Sequence, residues 1–137
     1  MTYWLVKSEP DAWSWAQQLA KGVEPWTGVR NHQAAANLRA MKPGERAFFY
    51  HSNQGKEIVG IVSVLRPAYP DPTDTEGKWV AVDMKAERTL QVPVTLARIK
   101  AEPALADILL VRNSRLSVMP IPDAAWRKIC VLGGIAP

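Results

Sequence analysis

Hydrophobic and polar positions change rhythm several times along the chain, and each change marks an element. Tyr3 to Val6 is short, aromatic and β-branched, and Ser8-Glu9-Pro10-Asp11 then breaks it with a proline and a helix-capping acid. The pattern predicts a strand leading into a helix from Ala12 to Lys21 that stops at Gly22, with Trp13, Ala16, Gln17, Leu19 and Ala20 on an imperfect apolar face. Trp13 and Trp15 cannot both point inward. Pro25-Trp26-Thr27-Gly28 reads as a loop, after which Asn31 caps a second helix that runs through Ala34, Ala35, Ala36, Leu38 and Met41 and closes at Pro43-Gly44.

Glu45 to Ser52 then reads as a strand, Asn53 to Lys56 as a turn and Glu57 to Leu65 as its partner, with Gly60 allowing a close approach or a bulge. Pro67, Pro70 and Pro72 mark a loop that lasts to Gly77, and Lys78 to Ala86 alternates as a further strand. From Val94 the spacing of Leu96, Ile99, Leu105, Ile108 and Leu109 fits short helices interrupted around Pro103. Arg115 to Met119 is extended again, and Asp123 to Val131 is a helix stopped by Gly133-Gly134. With no repeat, low-complexity segment or linker, the pattern predicts a single α+β domain over 1–137 with a strongly curved, largely antiparallel sheet.

Composition narrows the class. Hydrophobic residues at 47% and charged residues at 22% are ordinary for a globular domain. No apolar run approaches the roughly 20 residues that span a bilayer, and the first residues read as a strand rather than a signal sequence, so the expected compartment is the cytoplasm and no membrane partner is expected. Cys130 is the single cysteine, and its default state is a buried, reduced thiol. The net charge of +4 favours polyanions, yet the positive residues are scattered, so any basic surface has to be assembled by folding.

The candidate chemistry gathers in two stretches. Val29-Arg30-Asn31-His32-Gln33 follows Trp26, and Tyr50-His51-Ser52-Asn53 follows Phe48 and Phe49, so each sets amide, imidazole and hydroxyl groups beside aromatic rings. That mixture suits a flat, hydrogen-bonding ligand such as a nucleobase, stacked on a ring and read at its edge. Trp26 is either a stacking platform or a core residue under its loop. Asn31 either reads a base edge or caps its helix, and Arg30 either meets a phosphate or makes an ion pair. Tyr50 and Ser52 share a strand face while His51 points to the other, so Ser52 and Asn53 at the strand end are the better ligand donors and His51 the better structural residue. Asp71 either accepts from an exocyclic amine or shapes a turn with Pro72 and Thr73, and Tyr69 has the same two roles.

Catalytic, metal and cofactor assignments are all none. Glu9, Asp11, Asp71, Asp83, His32 and His51 supply acids and bases, but no nucleophile elbow, metal-ligand spacing or phosphate-cradling glycine loop accompanies them. The alternative is a small-molecule-binding protein or a hydrolase using the same pocket, and the hydrolase would need turnover dependent on His51 or Asp71. A protein-interaction module would need the aromatic residues to form a flat exposed patch.

Tyr3-Trp4-Leu5-Val6-Lys7-Ser8-Glu9-Pro10, Trp26 to Ala34, Phe49-Tyr50-His51-Ser52, Ala68 to Thr73 and Ser114-Arg115-Leu116-Ser117-Val118 stand in the order typical of the EVE domain, which the chain resembles over nearly its whole length. The resemblance implies a PUA-like fold, a small curved, mostly antiparallel β-barrel flanked by α-helices, and a non-catalytic reader of modified bases, chiefly cytosines, in DNA or RNA. It adds Arg115 and Ser117 as residues of a late pocket strand, Arg115 either toward the phosphate backbone or in an internal salt bridge, and the Ser117 hydroxyl or a nearby backbone group toward the base. His32, Ala35 and Asn113 depart from residues common in the family, and the loop from Asp74 to Lys78 is short. The resulting expectation is a base held between Trp26 and the end of the Tyr50-to-Asn53 strand. Asn31, Ser52 and Asp71 select it, and Arg30 and Arg115 supply salt-sensitive affinity.

Overall fold

Six strands and five α-helices, with a 3-10 turn at Pro103–Leu105, make up the protein in the computed structural model, which describes residues 1–137. In chain order these are β1 (Tyr3–Ser8), α1 (Trp15–Lys21), β2 (Val23–Pro25), α2 (His32–Ala40), β3 (Arg46–His51), β4 (Glu57–Pro70), β5 (Val80–Thr95), α3 (Leu96–Ala101), α4 (Leu109–Arg112), β6 (Val118–Ile121) and α5 (Asp123–Leu132). The strands form one sheet in the order β2-β5-β4-β3-β1-β6. Only β1 and β3 run parallel, and every other neighbouring pair is antiparallel. The hydrogen-bonded ladder ends at β2 on one side and β6 on the other, so it is not closed into a barrel.

The α+β class agrees with the hydrophobic pattern, but several boundaries move for identifiable reasons. Helix α1 starts later than the apolar pattern predicts, because Ser14 rather than Asp11 is its cap. The Ser14 hydroxyl accepts from Gln17 N–H and the Gln17 amide oxygen accepts from Ser14 N–H, which satisfies two donors at once. The strand after the Asn53–Lys56 turn continues past Leu65 through Pro67 to Pro70, and its partner continues past Ala86 through Pro93 to Thr95. The β4–β5 register shifts between Ile58 and Gly60, Ile61 and Val62, Val64 and Arg66, and Arg66 and Tyr69. Such irregularities tolerate residues without an N–H donor. The late extended segment is Val118–Ile121, so Arg115 and Ser117 precede the strand.

One hydrophobic cluster joins 35 buried residues, among them Trp4, Trp126 and Cys130. Trp15 enters it across β4 at Gly60, where an added Cβ would lie 2.2 Å from the indole ring. Glycine is therefore required at that crossing. No helix is long and apolar enough to cross a membrane.

Candidate functional site

The parallel pairing of β1 with β3 sets Lys7 beside Tyr50 and Ser8 beside His51, so both strands leave the sheet at the same edge. Ser52 N–H donates to the Ser8 carbonyl at 3.0 Å and locks the two exits together. On one side of β1's exit lies a cavity of about 360 Å³ lined by Lys7, Ser8, Glu9, Ala12, Trp13, Glu24, Pro25, Trp26 and Thr27. That volume is within the roughly 300–1,000 Å³ range of small-ligand pockets.

Two tryptophans wall the cavity, one fixed by its backbone and a neighbouring ring, the other by polar groups. Trp26 follows β2, donates its backbone N–H to the Val82 carbonyl at 2.7 Å and sets its ring edge-on to Phe49 at 5.6 Å. It is 8% exposed. Trp13 stands in the turn before α1, donates its indole N–H to Gln18 Oε1 at 2.8 Å and accepts from the Ser8 hydroxyl through its carbonyl at 2.6 Å. Gln18 is fully buried and uses its own amide N–H groups on the carbonyls of Met84 and Gly22. A buried polar side chain satisfied on all sides is a rigid support.

Asp71 does the equivalent work for the loop after Trp26. Its carboxylate accepts from Gly28 N–H at 2.8 Å, Arg30 Nη1 at 3.0 Å, and both the N–H and hydroxyl of Thr73 at 2.7 Å. Burial opposes ionisation, but the bonds from Thr73, Gly28 and Arg30 outweigh it and hold the Asp71 pKa down at about 2. Gly28 takes a left-handed turn at φ 80°, and Arg30 Nη2 also donates to Thr73 Oγ1. Asp71 and Arg30 thus occupy each other at the base of the loop. Their positions assign them to holding the Trp26 loop.

The remaining sequence candidates divide among different places. Tyr50, Ser52 and Asn53 line a second depression of about 360 Å³ beside the first, and the two share Lys7 and Glu9. Asn31 Oδ1 accepts from Ala34 N–H, so its side chain caps α2. Tyr69 donates its hydroxyl to Asp83 beneath the Arg66 guanidinium. Burial and the Asp83 carboxylate push its pKa up to about 12. Ser117 offers its backbone carbonyl to Lys7 N–H, and Arg115 is exposed on the approach to β6. His51 Nε2 accepts from Trp15 N–H at 3.0 Å and fixes the start of α1. Burial lowers the His51 pKa against the opposing charge of Glu57, in keeping with a neutral imidazole that accepts. His32 stacks on Trp79 at 4.9 Å, and Ala35 is fully buried.

Residue reading missed Trp13, Ser8, Glu9, Glu24 and Thr27 as cavity walls. Lys7-Ser8-Glu9 stood inside the motif that carried the family resemblance, which was the available signal. Glu24 had none, because β2 is too short to announce itself and its carboxylate is ion-paired with Lys21.

The fold class is an α+β domain with a tryptophan-walled cavity at the carboxyl ends of two parallel strands. The YTH domain of Zygosaccharomyces rouxii MRB1 shares this fold at a TM-score of 0.60, covering 96% of this chain and 86% of that one at 18% identity. The chain belongs to the EVE domain family, whose pattern matches residues 2–132. It is similar to human thymocyte nuclear protein 1, 35% identical with 88% of this chain and 68% of that protein covered. The chicken protein of the same name is 34% identical, with 87% of this chain covered, and the chain spans 63% of its length. Among solved structures, a protein of Agrobacterium tumefaciens has a TM-score of 0.96 at 47% identity, with 100% of this chain and 99% of that one covered. The human THYN1 protein in complex with 5-methylcytosine-containing DNA has a TM-score of 0.91 at 32% identity, with both chains covered fully at 100%.

Proposed function

We propose that this chain is a non-catalytic reader that seats one modified base of DNA or RNA in the cavity between Trp13 and Trp26. The observation that carries the reading is that Trp13 and Trp26 line one small cavity, Trp13 held through its indole N–H by the buried Gln18 and Trp26 packed edge-on to Phe49, so that both rings are in place before a base arrives. Preorganised aromatic walls lose little conformational freedom on binding. The human relative solved with 5-methylcytosine-containing DNA supports a modified base as the ligand.

In this reading the base stacks on the indoles while the polar groups of Ser8, Glu9, Glu24 and Thr27 meet its edge. Tyr50, Ser52 and Asn53 serve the neighbouring nucleotide. Asn31 and Asp71 act by positioning α2 and the Trp26 loop, and Arg30 acts through Asp71. Extrusion of a paired base costs a few kcal/mol, so single strands and weakened duplexes bind better than intact duplex. The hydrolase alternative is disfavoured because the groups it would use, His51 Nε2 and the Asp71 carboxylate, are already bonded to backbone and side-chain donors. The expected compartment is the cytoplasm.

The test is titration of short single- and double-stranded DNA and RNA, with plain or modified cytosine or adenine, against wild type and Trp26→Ala at two salt concentrations. Loss of one stacking wall removes roughly 1–3 kcal/mol per base, so the preference for the modified base should shrink by about ten- to a hundredfold while the salt-sensitive background survives. Equal binding of all oligomers by wild type would overturn the reading.

A further inference from the structure

The base cavity is the first of three depressions that join end to end. The second shares Lys7 and Glu9 with it. The third, about 480 Å³, shares Lys56 and Leu96 with the second and ends at Lys100 on α3. A lysine therefore stands at the first junction, another at the second, and a third at the far end.

None of these three ammonium groups is ion-paired. Lys7 Nζ donates to the Ser114 carbonyl at 2.9 Å and keeps further N–H donors for a ligand. Lys56 and Lys100 are on exposed positions. Glu9 is the acidic residue on the first shared wall, which weakens the positive potential there and leaves Lys56 and Lys100 the more attractive sites for an anion.

Backbone geometry points to the same place. Asn53 at φ 68° and Lys56 at φ 48° are the non-glycine residues with left-handed backbone in this chain, and both line the second depression. A lysine in that region is uncommon, and the conformation would suit glycine better. Left-handed residues are ordinary in hairpin turns, and strained ones also cluster at ligand sites. The turn is held by its neighbours, since the Lys56 carbonyl accepts from Leu96 N–H at 2.8 Å.

We propose that these linked depressions are the path of a single nucleic-acid strand flanking the seated base, with successive phosphates meeting Lys7, Lys56 and Lys100 and the Asn53–Lys56 turn acting as the guide. The proposal rests on the reading of the first cavity as the base seat. It moves the phosphate contacts from Arg30, which is occupied by Asp71, to lysines on the other side of the pocket.

Fluorescence anisotropy with labelled single strands of DNA and RNA, each with one central 5-methylcytosine or plain cytosine, tests this over a series of salt concentrations. Single strands give a slope of log K against log salt of about −0.7 per phosphate contact, so the Lys56→Gln/Lys100→Gln double variant should reduce its magnitude by roughly 1.4. The preference for the modified base should persist. Lys42→Gln, at the opposite end of β3, should leave the slope unchanged. A wild-type slope in the double variant, or an equal reduction from Lys42→Gln, overturns the path. Lys56→Gly should retain a wild-type melting temperature and still lose its share of the slope. The base reading is judged separately by Trp26→Ala, which should shrink the preference and keep the slope. If Trp26→Ala keeps the preference, the base seat falls and the path with it.

Discussion

The two ends of the β1–β3 pair use tryptophan in opposite ways. At the closed end Trp126 is fully buried between Tyr3, stacked at 4.3 Å, and Phe48, stacked at 3.9 Å, with the Arg46 guanidinium 5.3 Å from the Trp126 ring. At the open end Trp26 and Trp13 line a cavity. Each end also has a buried carboxylate hub. Glu45 accepts from Thr2 N–H, Trp4 Nε1 and Lys42 N–H, and these bonds overcome the burial that opposes its charge and keep its pKa low. Asp71 does the same for the Trp26 loop. The lesson lies in what the rings are given to touch. Where protein rings cover both faces, tryptophan is core, and the structure even leaves the Trp126 indole N–H without a partner. At the open end Trp13 is held through its indole N–H by Gln18 and Trp26 packs edge-on to Phe49, and both rings border the cavity.

The largest expected effect comes from breaking the closed end. Trp126→Ala should cost about 3–5 kcal/mol in urea unfolding, the usual loss for a large aromatic core residue, and base preference should disappear only together with the fold. If Trp126→Ala stayed as stable as wild type yet lost binding, the division between core and seat would be wrong.

Next is Asp71→Ala, which leaves Gly28 N–H and the Arg30 guanidinium without their acceptor. Only the carboxylate of this pair is buried, and losing its charge-assisted bonds costs about 1.5–3 kcal/mol; the Trp26 loop should loosen, so base preference falls even in the molecules that remain folded. The pH dependence has a fixed sign. Asp71 has a folded pKa below its unfolded value of 3.8, so its contribution is present above that pH and is lost as pH falls toward about 2, a window that Asp71→Ala should erase from an acid-unfolding curve.

Gln18→Met sharpens the comparison more gently. It removes the acceptor for the Trp13 indole N–H and the donors to Met84 and Gly22 carbonyls, at about 1–3 kcal/mol in unfolding. Base affinity should weaken several-fold with the salt slope intact; an unchanged affinity would show that Trp13 is not a wall the ligand uses. The smallest effect belongs to His51. Its pKa is lowered by burial, so its contribution to stability is full above the unfolded value of 6.5 and declines as pH falls through 6.5 toward the lowered value. His51→Gln should flatten that decline in thermal melts between neutral and mildly acid pH.

Much of the scaffold was legible because it depends on local rules. The Asn31 cap, the β3–β4 turn and the α5 helix follow from side-chain chemistry and short-range periodicity, whereas a close approach at Gly60 could be expected but not its Trp15 partner. The helix start at Ser14 was legible too but easily passed over, since Asp11 is also a competent cap while only Ser14 has a Gln three residues on to complete the capping box. The prolines of β4 and β5 read as strand breakers until the register shifts that accommodate them are known.

The site divides in the same way. The sequence by itself determined that Trp26 stands in a loop between a polar and an apolar segment, that Asn31 has a helix to cap, and that amides, hydroxyls and rings are concentrated near residues 26–33 and 50–53. Only the tertiary structure decided which of them meet. The parallel β1–β3 pairing joins Lys7 to Tyr50, distant in chain order, the Asp71 carboxylate is drawn to Gly28 and Arg30, and Trp13 rather than the end of the Tyr50-to-Asn53 strand becomes the second wall. Caps and turns are fixed by neighbours in sequence, whereas a cavity is bounded by side chains from distant elements, and nothing in the pattern of one segment states which other segment will pack beside it.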